Sequence, residues 1–249
     1  MTLLKYIQQL SHLLRYSFIP DKCPVCNKIT LNDFEQIACK DCIDKLVRIS
    51  ESSCLKCGAD EKHCVCKKRY VDYDAIVSPF YYEGVAVKLV SLLKYKNMLR
   101  VSKFFADEMA KKVSEKYNHI EFDYITYIPF SKRQNKKRLY NQSEYLATEL
   151  SKALSIPLAV LIIKAFDNKT QHDMKNQNRK GNVAGVYQVD TKIDLTGKKI
   201  LLVDDVKTTG ATLNECAKEL KLYGAETVCC VTAVVTNKKG VPKNEKTNK

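Results

Sequence analysis

The 249-residue sequence has no apolar run long enough to span a bilayer, no Walker-type phosphate loop and too few acids to balance its bases. Each absence removes a class of function. Residues 1–20 carry Leu3, Leu4, Ile7, Leu10, Leu13 and Leu14 at helical spacing, but Lys5, His12 and Arg15 interrupt them. That pattern fits neither a transmembrane segment nor a secretory h-region. An amphipathic helix packed on the protein is expected, with peripheral membrane association as the alternative. With no export signal, the expected location is the reducing cytoplasm, or its boundary at the inner face of the membrane. Acids number 28 against 42 lysines and arginines, a formal charge of +14, so the expected partners are anionic: nucleic acid or a pyrophosphate-bearing substrate. The Thr-Gly run near residue 210 lacks the Lys that a Walker loop places after a second Gly, which excludes that kind of nucleotide site.

Cysteine is scarce after residue 66 and dense before it. Eight of the 11 lie between Cys23 and Cys66, whereas Cys216, Cys229 and Cys230 fall in helix and strand patterns, where a free Cys behaves as a small buried hydrophobe. Cys23-Pro-Val-Cys26 and Cys39-Lys-Asp-Cys42 are separated by twelve residues, and Cys54-Leu-Lys-Cys57 is followed after six by Cys64-Val-Cys66. In a reducing compartment this spacing suits two tetrahedral Cys₄ zinc sites, each tight pair giving two sulfurs. Sequential pairing needs only short loops, crossed pairing is also compatible with the geometry, and His63 could replace a sulfur beside the shorter Cys64-Val-Cys66 pair. Closed four-ligand sites are structural, so this module is expected to fold and present a surface rather than to catalyse.

The run 198–212 carries the chemistry. Ile200, Leu201, Leu202 and Val203 read as a buried parallel strand, with Asp204 and Asp205 at its carboxyl end, the edge where open α/β sheets bind ligands. Two acids there can accept hydrogen bonds from vicinal hydroxyls or hold Mg²⁺. Thr208, Thr209, Gly210, Ala211 and Thr212 then supply hydroxyls and backbone N–H groups at the start of a helix, where a phosphate is well received. Strand, acids and Thr-Thr-Gly turn resemble the phosphoribosyl-pyrophosphate (PRPP) motif of type I phosphoribosyltransferases. The resemblance implies that Asp204 and Asp205 take the ribose hydroxyls and that Lys207 to Thr212 take the 5-phosphate, with Val206 inside the motif.

Upstream, 74–80 reads as a strand, 85–95 and 98–117 as helices, and 124–129 as a second buried strand. Lys94, Tyr95 and Lys96 close the first helix, where they suit the macrodipole or a ligand equally. The second strand runs into Lys132, Arg133, Lys136, Lys137 and Arg138, on the sheet edge that carries Asp204, and then into a helix over 141–154. That placement favours an anion site for pyrophosphate or DNA phosphate. Arg179, in the polar surface segment 170–187, is a further basic candidate. Arg138 and its neighbours would stabilise charge on a departing pyrophosphate, while Asp204 and Asp205 would favour positive charge on the ribose ring. These three are the catalytic candidates.

Together, residues 1–236 resemble the ComF family, competence-associated phosphoribosyltransferase-like proteins with an amino-terminal double zinc ribbon. The resemblance rests on the cysteine knuckles, LKYK (93–96), IPFSKRQNKKRLYNQSEYLA (128–147), TQ and RKGN within 170–182, and the PRPP run. Family members commonly have Arg-Gly-Phe-Asn-Gln where this chain has Arg138-Leu139-Tyr140-Asn141-Gln142, without the Gly. The implied fold is α/β, a type I phosphoribosyltransferase-like parallel sheet flanked by helices over 71–236, after a zinc-ribbon module over 21–70. Residues 237–249, lysine-rich and without apolar periodicity, read as a disordered basic tail. The implied ligands are PRPP with Mg²⁺ and single-stranded DNA. The implied role is DNA uptake during natural competence, with helicase-type and channel partners and phosphoribosyl transfer to a nitrogen acceptor. A non-catalytic nucleic-acid or adaptor module with a relic phosphate site is the alternative.

Overall fold

The computed structural model describes residues 22–30, 37–64, 66, 70–95, 99–130, 140–164 and 186–236. The expected helix over 1–20, the side chains Lys132, Arg133, Lys136, Lys137, Arg138 and Arg179, and the tail 237–249 lie outside the described residues. The described elements are, in chain order, a one-turn helix α1 (Lys40–Ile43), β1 (Ala75–Val77), β2 (Phe80–Tyr81), α2 (Gly84–Tyr95), α3 (Leu99–Lys116), β3 (Tyr124–Tyr127), α4 (Gln142–Leu154), β4 (Ile162–Lys164), β5 (Tyr187–Val189), β6 (Lys199–Lys207), α5 (Ala211–Leu222) and β7 (Thr227–Val235). β3, β6 and β7 run side by side in parallel, and β1 and β2 share the outer edge of β7. The fold is therefore the α/β parallel sheet that the sequence implies. β4 and β5 form a separate antiparallel pair.

Two strands differ from the expectation. The strand expected over 74–80 is broken at Ser78-Pro79, because Pro79 has no N–H to offer β7; its carbonyl instead accepts from the Ile49 N–H at 3.0 Å. β6 does not end at Val203. It continues to Lys207 with Asp204 paired to Thr232, so the two acids lie within the strand rather than after it.

Period-two alternation sends the apolar block of β6 to both faces of the sheet. Leu201 and Val203 point to the core beneath α2, α3 and α4, among Leu89, Leu93, Phe105, Met109, Leu146 and Leu150. Ile200 and Leu202 point the other way, to Leu213, Cys216, Ala217 and Leu220 on α5. Each such fully buried side chain stabilises the fold by about 2 kcal/mol, which is why positions 200–203 of β6 are all apolar. The three late cysteines, all buried, serve this packing as expected.

The cysteine-rich segment packs into the same core. Cys23, Val25, Ile37, Ala38, Cys42 and Leu46 are buried with Phe80, Leu89 and Phe105, and the Lys88 ammonium donates to the Val25 carbonyl at 2.9 Å. Arg48 lies over the Phe80 ring and pairs with Glu108, a buried carboxylate on α3. No helix among the described residues is long and apolar enough to cross a membrane.

Candidate active site and metal clusters

The two halves of the cysteine module begin with the same turn. In the first, the Asn27 N–H donates to the Cys23 carbonyl at 2.8 Å and the Cys23 N–H to Lys28; in the second, the Gly58 N–H donates to Cys54 at 2.7 Å and the Cys54 N–H to Ala59. Each turn needs a left-handed residue just after its second cysteine. Asn27 (φ 61°) and Gly58 (φ 73°) supply it, two residue types that enter this region at low cost. The second pair of each set then closes the cluster: Cys39 and Cys42 from the start of α1, Cys64 and Cys66 after a 3₁₀ turn over Glu61–His63.

The sulfurs of Cys23, Cys26, Cys39 and Cys42 lie within 4.8 Å of one another, and so do those of Cys54, Cys57, Cys64 and Cys66. Pairing is thus sequential, not crossed. His63 stands outside the second set, its Nδ1 turned to Asp60 (3.6 Å) and the Tyr81 hydroxyl (3.5 Å). A tetrahedral zinc with bonds of about 2.3 Å sets its sulfurs about 3.8 Å apart. Cys23 to Cys42 is 3.9 Å, Cys26 to Cys39 is 3.7 Å and Cys57 to Cys64 is 3.7 Å, while Cys64 and Cys66 approach to 2.9 Å. Four soft thiolates at this separation fit zinc; Cys23, Cys26, Cys39 and Cys42 would hold one ion and Cys54, Cys57, Cys64 and Cys66 the other. Metal analysis of the purified chain is expected to find about two equivalents of zinc. A value near zero with the fold intact would remove the ribbon reading; one equivalent would single out the Cys64/Cys66 site as degenerate.

The ligand edge is built by α2 and α4 converging on β6. Asp204 Oδ1 accepts from the Ser143 hydroxyl at 2.9 Å and from the Asp205 N–H at 2.8 Å, and Asp205 Oδ2 pairs with the Lys94 ammonium at 2.7 Å. Burial raises the Asp204 carboxyl, the negative charge of Asp205 adds to the effect, and the bonds from Ser143 and the Asp205 N–H oppose it; the result is a pKa of about 7. Two adjacent carboxylates, one of them driven toward its neutral form by burial and then by the charge of the other, are a donor set that a hard divalent cation or a pair of sugar hydroxyls would relieve.

Tyr140, Asn141, Gln142 and Ser143 fasten the start of α4 to three neighbours. Tyr140 donates to the Leu93 carbonyl, Asn141 caps α4 by accepting from the Ser143 N–H while donating to Ile128, and Gln142 reaches the Lys94 carbonyl. Without the Gly expected at 139, the chain still enters α4 through an Asn cap. Next to it, Tyr127, Phe130, Asn141, Glu144, Val160 and Lys164 border an open cavity of about 530 Å³.

After β6 the chain turns at Thr208 and Thr209, both exposed, and enters α5 through Gly210 in the left-handed region (φ 77°). The Thr209 hydroxyl accepts from the Ala211 N–H at 3.3 Å, and Thr212 meets the buried hydroxyl of Tyr187 from β5. Val206 is half-buried behind the turn. Lys207 alone of the run sends its side chain elsewhere: it is buried, and its ammonium donates to the Cys57 carbonyl at 2.7 Å. Asp204, Asp205 and the Thr208–Thr212 turn are therefore together at one end of β6. Sequence reasoning left out Ser143 and did not decide for Lys94 as the Asp205 partner; their signals, a hydroxyl in the first turn of a helix and a lysine in the last, are too common to single out. The basic run 132–138 and Arg179 lie outside the described residues.

Among protein families, Phosphoribosyl transferase domain matches residues 140–248. Competence protein F of Haemophilus influenzae is 27% identical over 185 residues, covering 70% of this chain and 81% of that protein. Competence protein ComFC of Bacillus subtilis is 27% identical over 195 residues, 74% of this chain and 78% of that one. DNA utilization protein YhgH of Salmonella typhimurium is 26% identical over 219 residues, 84% of this chain and 95% of that one.

Proposed function

Because the chain is a homologue of the ComF, ComFC and YhgH proteins over most of its length, with a phosphoribosyl transferase domain and two four-cysteine clusters, we propose that it binds PRPP with Mg²⁺ and single-stranded DNA during DNA uptake. The observation that carries the PRPP half is the pair of carboxylates on β6, held by Ser143 and Lys94 and followed at once by the Gly210-capped α5. Asp204 and Asp205 receive the ribose hydroxyls and the cation, and the N–H groups of 208–212 receive the 5-phosphate. Lys94, paired with Asp205, is positioned to exchange that partner for the pyrophosphate.

Transfer follows from the same arrangement. The bond from ribose C1 to the pyrophosphate oxygen breaks, the acceptor nitrogen bonds to C1 and releases its proton to water, and pyrophosphate leaves with the bonding electron pair. Arg138 and Lys94 favour the leaving group electrostatically, and Asp204 and Asp205 favour the positive ribose ring. Bound Mg²⁺ supplies charge neutralisation at the pyrophosphate. The cavity bordered by Tyr127, Phe130 and Asn141, beside the Ser143 contact, is the site for a flat acceptor.

The DNA half rests on the formal charge of +14 and on the names borne by the relatives. On this reading the protein works in the cytoplasm, near the inner face of the membrane, with competence helicase and channel proteins as partners. Calorimetric titration with Mg²⁺ and PRPP, and separately with single-stranded DNA, is expected to give two binding signals; absence of the first would leave only a DNA-binding or adaptor module.

Proton competition gives a further test. A carboxyl with a pKa of about 7 must be ionised to take a cation, so affinity for magnesium-saturated PRPP is expected to fall by about tenfold per pH unit below 7 and level off above it. Titrations at pH 6 and 8 in buffers of different ionisation enthalpy read the released proton directly. Equal affinity and no proton release at pH 6 would show that Asp204 takes no part.

A further inference from the structure

The phosphate turn and the second cysteine cluster, far apart in sequence, share one buried side chain. Lys207 leaves the end of β6, and its ammonium donates to the carbonyl of Cys57, itself a member of the cluster. On its way it passes directly under Gly210, where a Cβ would stand 3.1 Å from Lys207 Cε. The backbone of the same residue is held from the other side: the Thr236 N–H donates to the Lys207 carbonyl at 2.9 Å, and the Thr236 hydroxyl to Thr208 at 3.3 Å. A second strut lies alongside, the Tyr73 hydroxyl donating to the Lys56 carbonyl at 2.7 Å, with that hydroxyl 3.7 Å from the position of a Gly210 Cβ.

A buried ammonium needs a counter-charge as well as a hydrogen bond. Four thiolates around one divalent ion carry a net charge of −2. The Lys207 ammonium, seated on the carbonyl of one of those ligands, lies beside that charge when the cluster is loaded. Loss of the metal would remove that neighbouring charge and leave the Cys57 carbonyl held by the backbone hydrogen bonds of its turn alone.

We propose that Lys207 is a positioning residue that makes the shape of the Thr208–Thr212 turn depend on the metal in the Cys54, Cys57, Cys64 and Cys66 cluster. The PRPP half of the test rests on the function proposed above; the coupling does not. The path is short and contiguous: cluster ligand, its carbonyl, the lysine ammonium and methylenes, then the glycine that caps α5. By linkage the dependence runs both ways, so a phosphate in the turn tightens the hold on the second metal by the same factor.

The test uses the full chain with its metals. Backbone amide exchange of residues 207–212 is measured in the native chain, in Lys207→Met, in Cys64→Ser and in the double variant, with zinc content determined for each. Lys207→Met is expected to keep two equivalents and to exchange about tenfold faster in the turn. Cys64→Ser is expected to lose one equivalent with the same acceleration, and the double variant to go no further than either. Tyr73→Phe, which removes only the parallel strut, is expected to move exchange in the same direction by less. PRPP affinity should follow, with Lys207→Met and Cys64→Ser each lowering it by about tenfold and the pair together no more. Unchanged exchange in Lys207→Met would overturn the proposal, as would losses from Lys207→Met and Cys64→Ser that multiply. Should neither the native chain nor any variant bind PRPP, the functional reading fails, and the exchange measurement still decides the coupling.

Discussion

Asparagine in place of both Asp204 and Asp205 is expected to weaken PRPP binding by about a hundredfold or more, a loss of at least ~2.7 kcal/mol, while the chain remains folded. An amide keeps the shape and one acceptor oxygen, so the substituted side chain can still receive the Ser143 hydroxyl and the turn after β6 can still form. What disappears is the carboxylate charge that a cation and two ribose hydroxyls require. Stability should move the other way. The folded pKa of Asp204 lies near 7, above its unfolded value of 3.8, so the folded state binds the extra proton between those values and wild-type stability falls as pH rises through that window. Asp204→Asn has no such loss. Its melting temperature relative to the native chain is expected to climb from pH 4 to 7 and then stay level, a stability gain obtained at the expense of the ligand site. Calorimetry for PRPP and thermal melts across pH check the two halves. Unchanged affinity in a stable double variant would mean that the motif no longer serves PRPP.

Neutralising Lys132, Arg133, Lys136, Lys137 and Arg138 together is expected to lower single-strand affinity severely and to flatten its dependence on salt. Each phosphate left without its cation takes about 0.7 from the slope of log affinity against log salt, so five charges account for about 3.5. Both anions would meet the same loop, and excess PRPP with Mg²⁺ should displace DNA from the native chain. Fluorescence anisotropy at several salt concentrations, with and without PRPP, measures both effects. If binding survives neutralisation but is lost on deleting 237–249, the loop serves the phosphoribosyl site alone. Removing residues 1–70 would not be a clean comparison, because Cys23, Val25 and Leu46 belong to the central core.

How much of this was legible in the sequence depends on the range of the contacts involved. The apolar block 200–203, the helix periods over 85–95 and 98–117, and the cysteine pairs are local patterns, and they reappear as β6, α2, α3 and two clusters. Pairing among the cysteines stays open in the sequence because spacing alone cannot say which turns face each other. The break at Pro79 follows from a single missing donor and could have been read. The β4 and β5 strands could not: each has three residues, too few to show a period, and a long polar stretch separates them. At the site, Asp204, Asp205 and Gly210 declare themselves by type and order. Ser143 and Lys94 reach β6 from other elements, and Lys207 meets Cys57 across 150 positions, so their roles depend on tertiary packing.

The shared core also sets an order of events during synthesis. Cys23, Val25 and Cys42 leave the ribosome before Leu89, Phe105 and Val113, the side chains that will cover them. At ordinary elongation rates of roughly 5–20 residues per second, the delay is on the order of several seconds. During it the nascent chain offers thiols and bare apolar groups at once, and capture of a metal ion by Cys23, Cys26, Cys39 and Cys42 is a local event that can shield them before α2 and α3 emerge. Newly made protein in zinc-starved cells should therefore fall to chaperones and proteases before its ligand site ever forms.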